Sequence, residues 1–273
     1  MALAAIRRLF VYPLRVRHNA GSFFRSREGV LASDYIDIHT HVLPKFDDGA
    51  GNAGESLEIL LQAWQAGFRT VAATPHMMAG VYEHDRVAVE DAIARLEPNM
   101  EKQVPGLKLV PGTEYYLDEH FYDWVAQGRL YPLGGGTHVL VELPMLKLPP
   151  MARDFAFRMQ IKGYTPILAH PERYGDIMRK PQLIEPLVHA GYRIQINLGS
   201  LCDFYGRKVR KAALWLLKHD WVDFVGSDSH TPKQAAQVYV DGMEVLANCV
   251  GEAGMQRLLV DNPRAALQGE GDG

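Results

Sequence analysis

The sequence predicts an α/β fold in which seven β/α units close into one barrel. Three observations carry that expectation. Short apolar runs alternate with longer segments whose apolar residues recur three and four positions apart, the pattern of strands followed by amphipathic helices. Several of the longer segments end on a glycine just before the next run. Most of the apolar runs terminate in an ionisable side chain, as strands do where they deliver residues to the C-terminal rim of a parallel barrel. An open doubly wound sheet is the competing architecture.

In chain order, strands are expected at 35–39, 70–74, 107–112, 138–143, 166–169, 193–197 and 222–226. Helices are expected at 55–67, 87–96, 151–163, 183–191 and 209–219, each placing an apolar stripe on one face. Gly67, Gly163 and Gly191 suit left-handed C-terminal caps that turn the chain into the next strand. Gly134, Gly135 and Gly136 precede the fourth strand and read as a turn, since no helix follows to make a phosphate cradle. No repeat, low-complexity tract or linker interrupts the chain after Ser33, so residues 34–273 are expected to form one domain.

Residues 1–33 differ in kind. Arg7, Arg8, Arg15, Arg17, Arg25 and Arg27 face a single acid, Glu28, with Leu9, Phe10, Val11, Phe23 and Phe24 among them. The apolar stretches are too interrupted for a signal peptide or a membrane span. A flexible basic extension is expected, with a peripheral membrane or partner-binding arm as its functional alternative. Over the whole chain the composition is that of an ordinary soluble protein, 47% apolar and 22% charged. The formal charge of −3 gives no general attraction to nucleic acid, so no nucleic-acid partner is expected. Cys202 and Cys249 are too few for a disulfide framework and fit reduced thiols in a cytoplasm. The oligomeric state is not legible.

The chemistry lies at the strand ends. The first strand closes on Asp37-Ile38-His39-Thr40-His41, and in extended backbone His39 and His41 project to one side. Later strands end on Thr74-Pro75-His76, Gly112-Thr113-Glu114, Val141-Glu142-Leu143, Ala169-His170-Pro171 and Ser227-Asp228-Ser229-His230. With an acid from the loop Asp47-Asp48-Gly49, these are too many ligands for one ion, and two or three metals are implied. Imidazole mixed with carboxylate and free of thiolate suits manganese, iron or zinc. Clustered metals lower the pKa of a shared water from about 15.7 toward 7 and hold a phosphoryl group for in-line attack by hydroxide.

These segments, together with His170-Pro171-Glu172-Arg173-Tyr174, resemble the polymerase and histidinol phosphatase (PHP) superfamily. Within it the chain is most similar to the CpsB-type bacterial metal-dependent protein-tyrosine phosphatases of capsule and exopolysaccharide biosynthesis. The resemblance spans residues 35–262 in the expected order. It implies a distorted TIM-like barrel with three divalent ions, manganese first and iron or zinc as alternatives. Carried residue by residue, it implies His39, His41, Glu114 and Asp228 on one metal, Asp48, His76 and His230 on a second, and Glu142 and His170 on a third. Glu114 would bridge the first and third. Asp48 is favoured over Asp47 by the resemblance alone. The implied substrate is a phosphotyrosine protein, a membrane tyrosine autokinase governing polysaccharide synthesis, met in the cytoplasm or at the membrane. Small-molecule phosphatase activity of the histidinol-phosphate type, or phosphodiesterase activity, is the alternative on the same fold.

Arg173 is the candidate for gripping the phosphoryl oxygens, because a guanidinium makes forked contacts with phosphate. Asp228 and His230 complete the candidate catalytic group, His230 as proton donor if it stands off the metals. Tyr115 and Tyr116 adjoin Glu114 and are candidates to line a phenol-sized pocket. Cys202 and Arg207 do not make a cysteine-phosphatase loop: four residues separate them where five are needed, and the loop is not glycine-rich. Two features depart from the family pattern: the basic extension, and the run Thr231-Pro232-Lys233-Gln234, which lacks an arginine usual after His230.

Overall fold

The computed structural model describes residues 34–268, so the expectations for 1–33 fall outside the described residues. Its strands are β1 (Tyr35–Thr40), β2 (Phe68–Ala73), β3 (His76–Met77), β4 (Lys108–Pro111), β5 (Glu114–Tyr116), β6 (His138–Glu142), β7 (Thr165–Ala169), β8 (Arg193–Asn197) and β9 (Phe224–Gly226). They form two parallel sheets in the orders β1-β2-β4 and β3-β5-β6-β7-β8-β9.

The two sheets are one interrupted ring. β2 and β3 are halves of one barrel strand, parted at Thr74-Pro75, where proline has no N–H for the ladder. β4 and β5 part likewise at Gly112-Thr113. Hydrogen bonds carry the ladder past both breaks: Thr74 N donates to Thr40 O (2.8 Å), Gly112 N to Ala73 O (2.9 Å) and Glu114 N to Pro75 O (3.1 Å). The ring closes between β9 and β1, where Asp228 N donates to His39 O (2.9 Å) and His41 N to Ser229 O (3.0 Å). Gly226 permits this approach, since a Cβ there would stand 2.8 Å from the His39 Cβ. Seven barrel strands, broken twice, give the distorted TIM-like barrel expected, and the closure excludes the open sheet.

Helices cover the outside: α1 (Ala53–Gln65), α2 (Arg86–Gln103), α3 (Glu119–Ala126), α4 (Ala152–Ile161), α5 (Gly175–Arg179), α6 (Glu185–Val188), α7 (Leu198–Leu201), α8 (Arg207–Lys218), α9 (Pro232–Gln237), α10 (Met243–Gln256) and α11 (Asn262–Gln268). Gly67, Gly163 and Gly191 adopt positive φ (95°, 80° and 97°), as the cap reading required. Several segments differ from expectation. α2 runs past Pro98 because its buried stripe Val89, Ile93, Leu96 and Met100 continues beyond it. The helix expected at 183–191 breaks into a 3-10 turn (Pro181–Ile184) and the short α6, each carrying a proline in its first turn. α3, α5, α7, α9, α10 and α11 were not anticipated. No helix among the described residues is long and apolar enough to cross a membrane.

The main apolar core lies between helices and strands, and includes Ile59, Phe68, Phe121, Phe155, Ile194 and Leu216. A separate buried cluster includes Ile36, Ile38, Ala72, Leu140, Ile167 and Phe224. Leu140 shares a strand face with Glu142, so apolar packing continues directly into the ionisable rim.

Candidate metal centre

All nine candidate ligands come together at the C-terminal ends of the strands. His39 Nε2 lies 3.0 Å from His41 Nε2, although the β1–β2 register shifts between Asp37 and Thr40. Glu114 is central. Its Oε2 is 3.3 Å from His39 Nε2, 3.4 Å from His41 Nε2 and 2.9 Å from His76 Nδ1, while Oε1 is 3.0 Å from His170 Nε2. The contact with His76 follows from the β3–β5 register, which sets His76 directly beside Glu114. Asp228 Oδ1 stands 3.5 Å from His39 Nε2 and 3.3 Å from His41 Nε2. Glu142 Oε1 is 3.8 Å from His170 Nε2. Asp48 Oδ1 approaches His76 Nε2 (3.8 Å) and His230 Nε2 (3.6 Å).

Four triads offer ligand atoms all within 4.8 Å of one another: His39/His41/Asp228, His41/His76/His230, His39/Glu114/His170 and His76/Glu114/Glu142. The site also passes a chemical test of fit. His76 Nδ1, Glu114 Oε2 and His230 Nε2 are buried atoms with no hydrogen-bond partner. Buried polar atoms are costly when unsatisfied, and aimed at a shared point they suit a cation that accepts their lone pairs.

Surrounding groups orient the imidazoles. Gln195 Oε1 holds His39 Nδ1 (2.9 Å), Asp47 Oδ2 holds His41 Nδ1 (2.7 Å) and Asp228 O holds His230 Nδ1 (3.0 Å), so each Nε2 faces the centre. Asp47 also accepts from Gly49 N (2.9 Å) and His76 N (2.9 Å), which commits it to the loop and leaves Asp48 facing the site. Gly49 is required there, since a Cβ would stand 2.1 Å from His41 O. The sixth barrel strand, which carries no ionisable end residue, supplies neutral supports instead. Besides Gln195, its Asn197 donates through Nδ2 to Asp228 Oδ2 at 2.6 Å. The polar alternation of Arg193-Ile194-Gln195-Ile196-Asn197 was the signal available in the sequence.

Two of the converging residues hold left-handed backbone, His170 at φ 34° and Asp228 at φ 52°. For a residue preceding proline, as His170 does, this conformation is doubly disfavoured. Such strain of about 1–3 kcal/mol per residue persists where surroundings over-determine it, commonly at functional sites.

Electrostatics separate the groups. Burial and the neighbouring Glu114 charge push Glu142 up to about 7. Burial would also raise Glu114, but the facing His39 and His76 hold it well below the usual carboxylate range. Burial and the Arg173 charge push His170 down to about 4, leaving a neutral imidazole with a lone pair to give.

Arg173 ends the 3-10 turn Pro171–Arg173, and its Nη1 donates to Asp228 Oδ2 at 2.6 Å. Its guanidinium lies 4.4 Å from the Tyr205 ring centroid. Tyr205 was not anticipated; its hydroxyl donates to Asp228 Oδ2 (3.3 Å) and accepts from Gln234 Nε2 (3.1 Å). Gln234 thus occupies a structural place in the run where an arginine was missing. Tyr115 is a correction: it is buried, its hydroxyl accepts from Tyr131 N (2.8 Å), and its ring packs on Phe121 and Trp124, so it lines no pocket. Tyr116 stays half-buried at the rim beside Glu142. Burial pushes the Cys202 thiol up to about 11, which removes it as a thiolate nucleophile.

The family profile described as capsular polysaccharide synthesis, CpsB/CapC, matches residues 35–268. The chain belongs to the CpsB/CapC family. Among its relatives, the tyrosine-protein phosphatase YwqE of Bacillus subtilis (strain 168) is 36% identical over 198 residues, 72% of this chain and 78% of YwqE. A solved chain from the work on YwqE from Bacillus subtilis and CpsB from Streptococcus pneumoniae, described as unique metal-dependent tyrosine phosphatases, superposes with a TM-score of 0.80. It is 33% identical and covers 86% of this chain and 95% of that one. A histidinol phosphate phosphatase from Lactococcus lactis shares the fold alone, at 13% identity and a TM-score of 0.53, over 84% of this chain and 99% of that one. The CpsB/CapC match thus covers the whole described barrel and every residue of the converging site.

Proposed function

We propose that this chain is a metal-dependent protein-tyrosine phosphatase, acting in the cytoplasm on a membrane tyrosine autokinase that governs polysaccharide synthesis. Membership of the CpsB/CapC family and the likeness to tyrosine phosphatases described as metal-dependent support the reading. The observation that carries it is the convergence of five imidazoles with the carboxylates of Glu114, Glu142, Asp228 and Asp48, with buried nitrogen and oxygen atoms left unsatisfied. Three divalent ions are proposed, manganese first, with iron or zinc as alternatives. His39, His41, Glu114 and Asp228 would hold one, Asp48, His76 and His230 a second, and Glu142 and His170 a third, with Glu114 shared.

Bound there, such ions supply Lewis-acid charge to phosphoryl oxygens and acidify water. The chain's own groups do the rest. Arg173 takes phosphoryl oxygens through its guanidinium, steadied by the Tyr205 ring. Asp228 orients Arg173 and, through its carbonyl, turns His230 Nε2 toward the site. A phenol leaving group, with a pKa near 10, demands less proton donation than an alcohol, and His230, with Nδ1 committed to the Asp228 carbonyl and Nε2 proposed on a metal, is left no proton to supply it.

Steady-state rates on a phosphotyrosine peptide, histidinol phosphate and a nucleotide diester test this. The reading expects the peptide to lead in kcat/KM. Preference for histidinol phosphate or the diester would replace it with the corresponding alternative.

A further inference from the structure

One strongly charged surface is unused by the site chemistry. Residues 203–211 carry four cations, Arg207, Lys208, Arg210 and Lys211, against one acid, Asp203. Asp203 pairs with Arg210 (2.9 Å), while Arg207, Lys208 and Lys211 have no ion pair or hydrogen bond among the described residues. Arg207, Arg210, Lys211 and Leu214 lie on one outward face of α8 and, with Asp203, line a cavity of about 300 Å³. The first turn of α8 holds no acid, so these cations crowd the positive end of the helix dipole, where cations are disfavoured. Folding gains nothing from that arrangement.

The position explains it. Arg207 lies two residues beyond Tyr205, whose hydroxyl touches Asp228, and α8 packs against the 3-10 turn that carries Arg173. The cationic face therefore begins at the lip of the site. The chain as a whole is negative, −3 by formal count, and would repel an acidic polypeptide without such a local counter-field.

From these observations we infer that the α8 face of Arg207, Lys208 and Lys211 is a docking surface for an anionic stretch of the substrate polypeptide flanking the phosphotyrosine. The anion is supplied by Asp, Glu or a second phosphorylated residue. The inference deepens the phosphatase reading and rests on it for the identity of the occupant.

The test uses the full chain and two phosphotyrosine peptides that differ only in acidic or neutral flanks, with p-nitrophenyl phosphate as a flankless ester. The wild type should favour the acidic peptide by about fivefold or more in kcat/KM, expressed in KM, with the advantage shrinking as salt is raised. The triple variant R207E/K208E/K211E should lose that advantage and hydrolyse p-nitrophenyl phosphate as before. Fluorescence anisotropy of the unphosphorylated acidic peptide reads the surface independently of turnover, and its affinity should fall in the variant. Absence of turnover with intact, variant-sensitive peptide binding would contradict the phosphatase reading alone. Equal rates on both peptides, or an acidic preference surviving in the variant, would overturn the docking surface. So would a variant that loses binding to vesicles of anionic phospholipid while keeping its peptide affinity, which would assign the face to a membrane.

Discussion

Arg173 offers a sharp perturbation, because a lysine there keeps the charge and removes the fork. In the structure the guanidinium is fixed from two sides, by Asp228 Oδ2 at 2.6 Å and by the Tyr205 ring at 4.4 Å. Arg173→Lys leaves a cation opposite Asp228, so the fold and the ligand geometry should persist. What disappears is one charge-assisted hydrogen bond to a phosphoryl oxygen and the stack that aims it. A hydrogen bond to a charged group contributes about 1.5–3 kcal/mol. At 1.36 kcal/mol per tenfold, its loss lowers kcat/KM on a phosphotyrosine peptide by about 10- to 150-fold. Kinetics should be read beside metal content measured on the same preparation. A change under about threefold with metal content intact would refute the phosphate-gripping role. A rate loss that merely tracks metal loss would make Arg173 a prop for Asp228 instead.

Three further outcomes follow from other parts of the fold. Tyr174→Phe removes a fully buried hydroxyl that donates to Ala169 O (2.7 Å) and accepts from Leu143 N (3.0 Å), leaving two backbone groups unpaired at the ends of β7 and β6. The cost should be roughly 2–4 kcal/mol, a Tm fall of roughly 5–15 °C by calorimetry, and a fall under about 2 °C would contradict it. Because burial raises the Cys202 thiol to about 11, it is protonated at pH 8, and iodoacetamide should label it roughly 100-fold more slowly in the folded protein than in urea. Cys202→Ser should keep activity within about twofold, and a loss above about tenfold would bring thiolate chemistry back.

The candidate ligands were legible because a parallel barrel has one chemical rim: an ionisable residue ending an apolar run can be neither core nor ordinary surface. That logic reached His39, His76, Glu114, Glu142, His170 and Asp228 without coordinates. It did not reach the sixth barrel strand, where Gln195 and Asn197 are neutral and their polar alternation marks a polar face without naming a role. Nor could it separate Asp47 from Asp48, adjacent identical residues distinguished by the hydrogen bonds Asp47 makes to His41, Gly49 and His76. Tyr205 was hidden for another reason, since a tyrosine in a loop after a short helix has no periodicity to betray it. In the fold, Pro98 misled because proline usually stops a helix, whereas the stripe through Met100 carried α2 past it. The helices after residue 242 were overlooked because no strand follows to frame them.

The whole reading requires that these side chains gather divalent cations. Crystals grown with excess manganese, measured at an energy where manganese scatters anomalously, test it most directly. Three anomalous peaks are expected: one among His39, His41 and Asp228, one beside Asp48, His76 and His230, and one between Glu142 and His170, with Glu114 reaching two of them. A map without peaks at these side chains, from protein that still hydrolyses phosphotyrosine in the presence of a chelator, would contradict it.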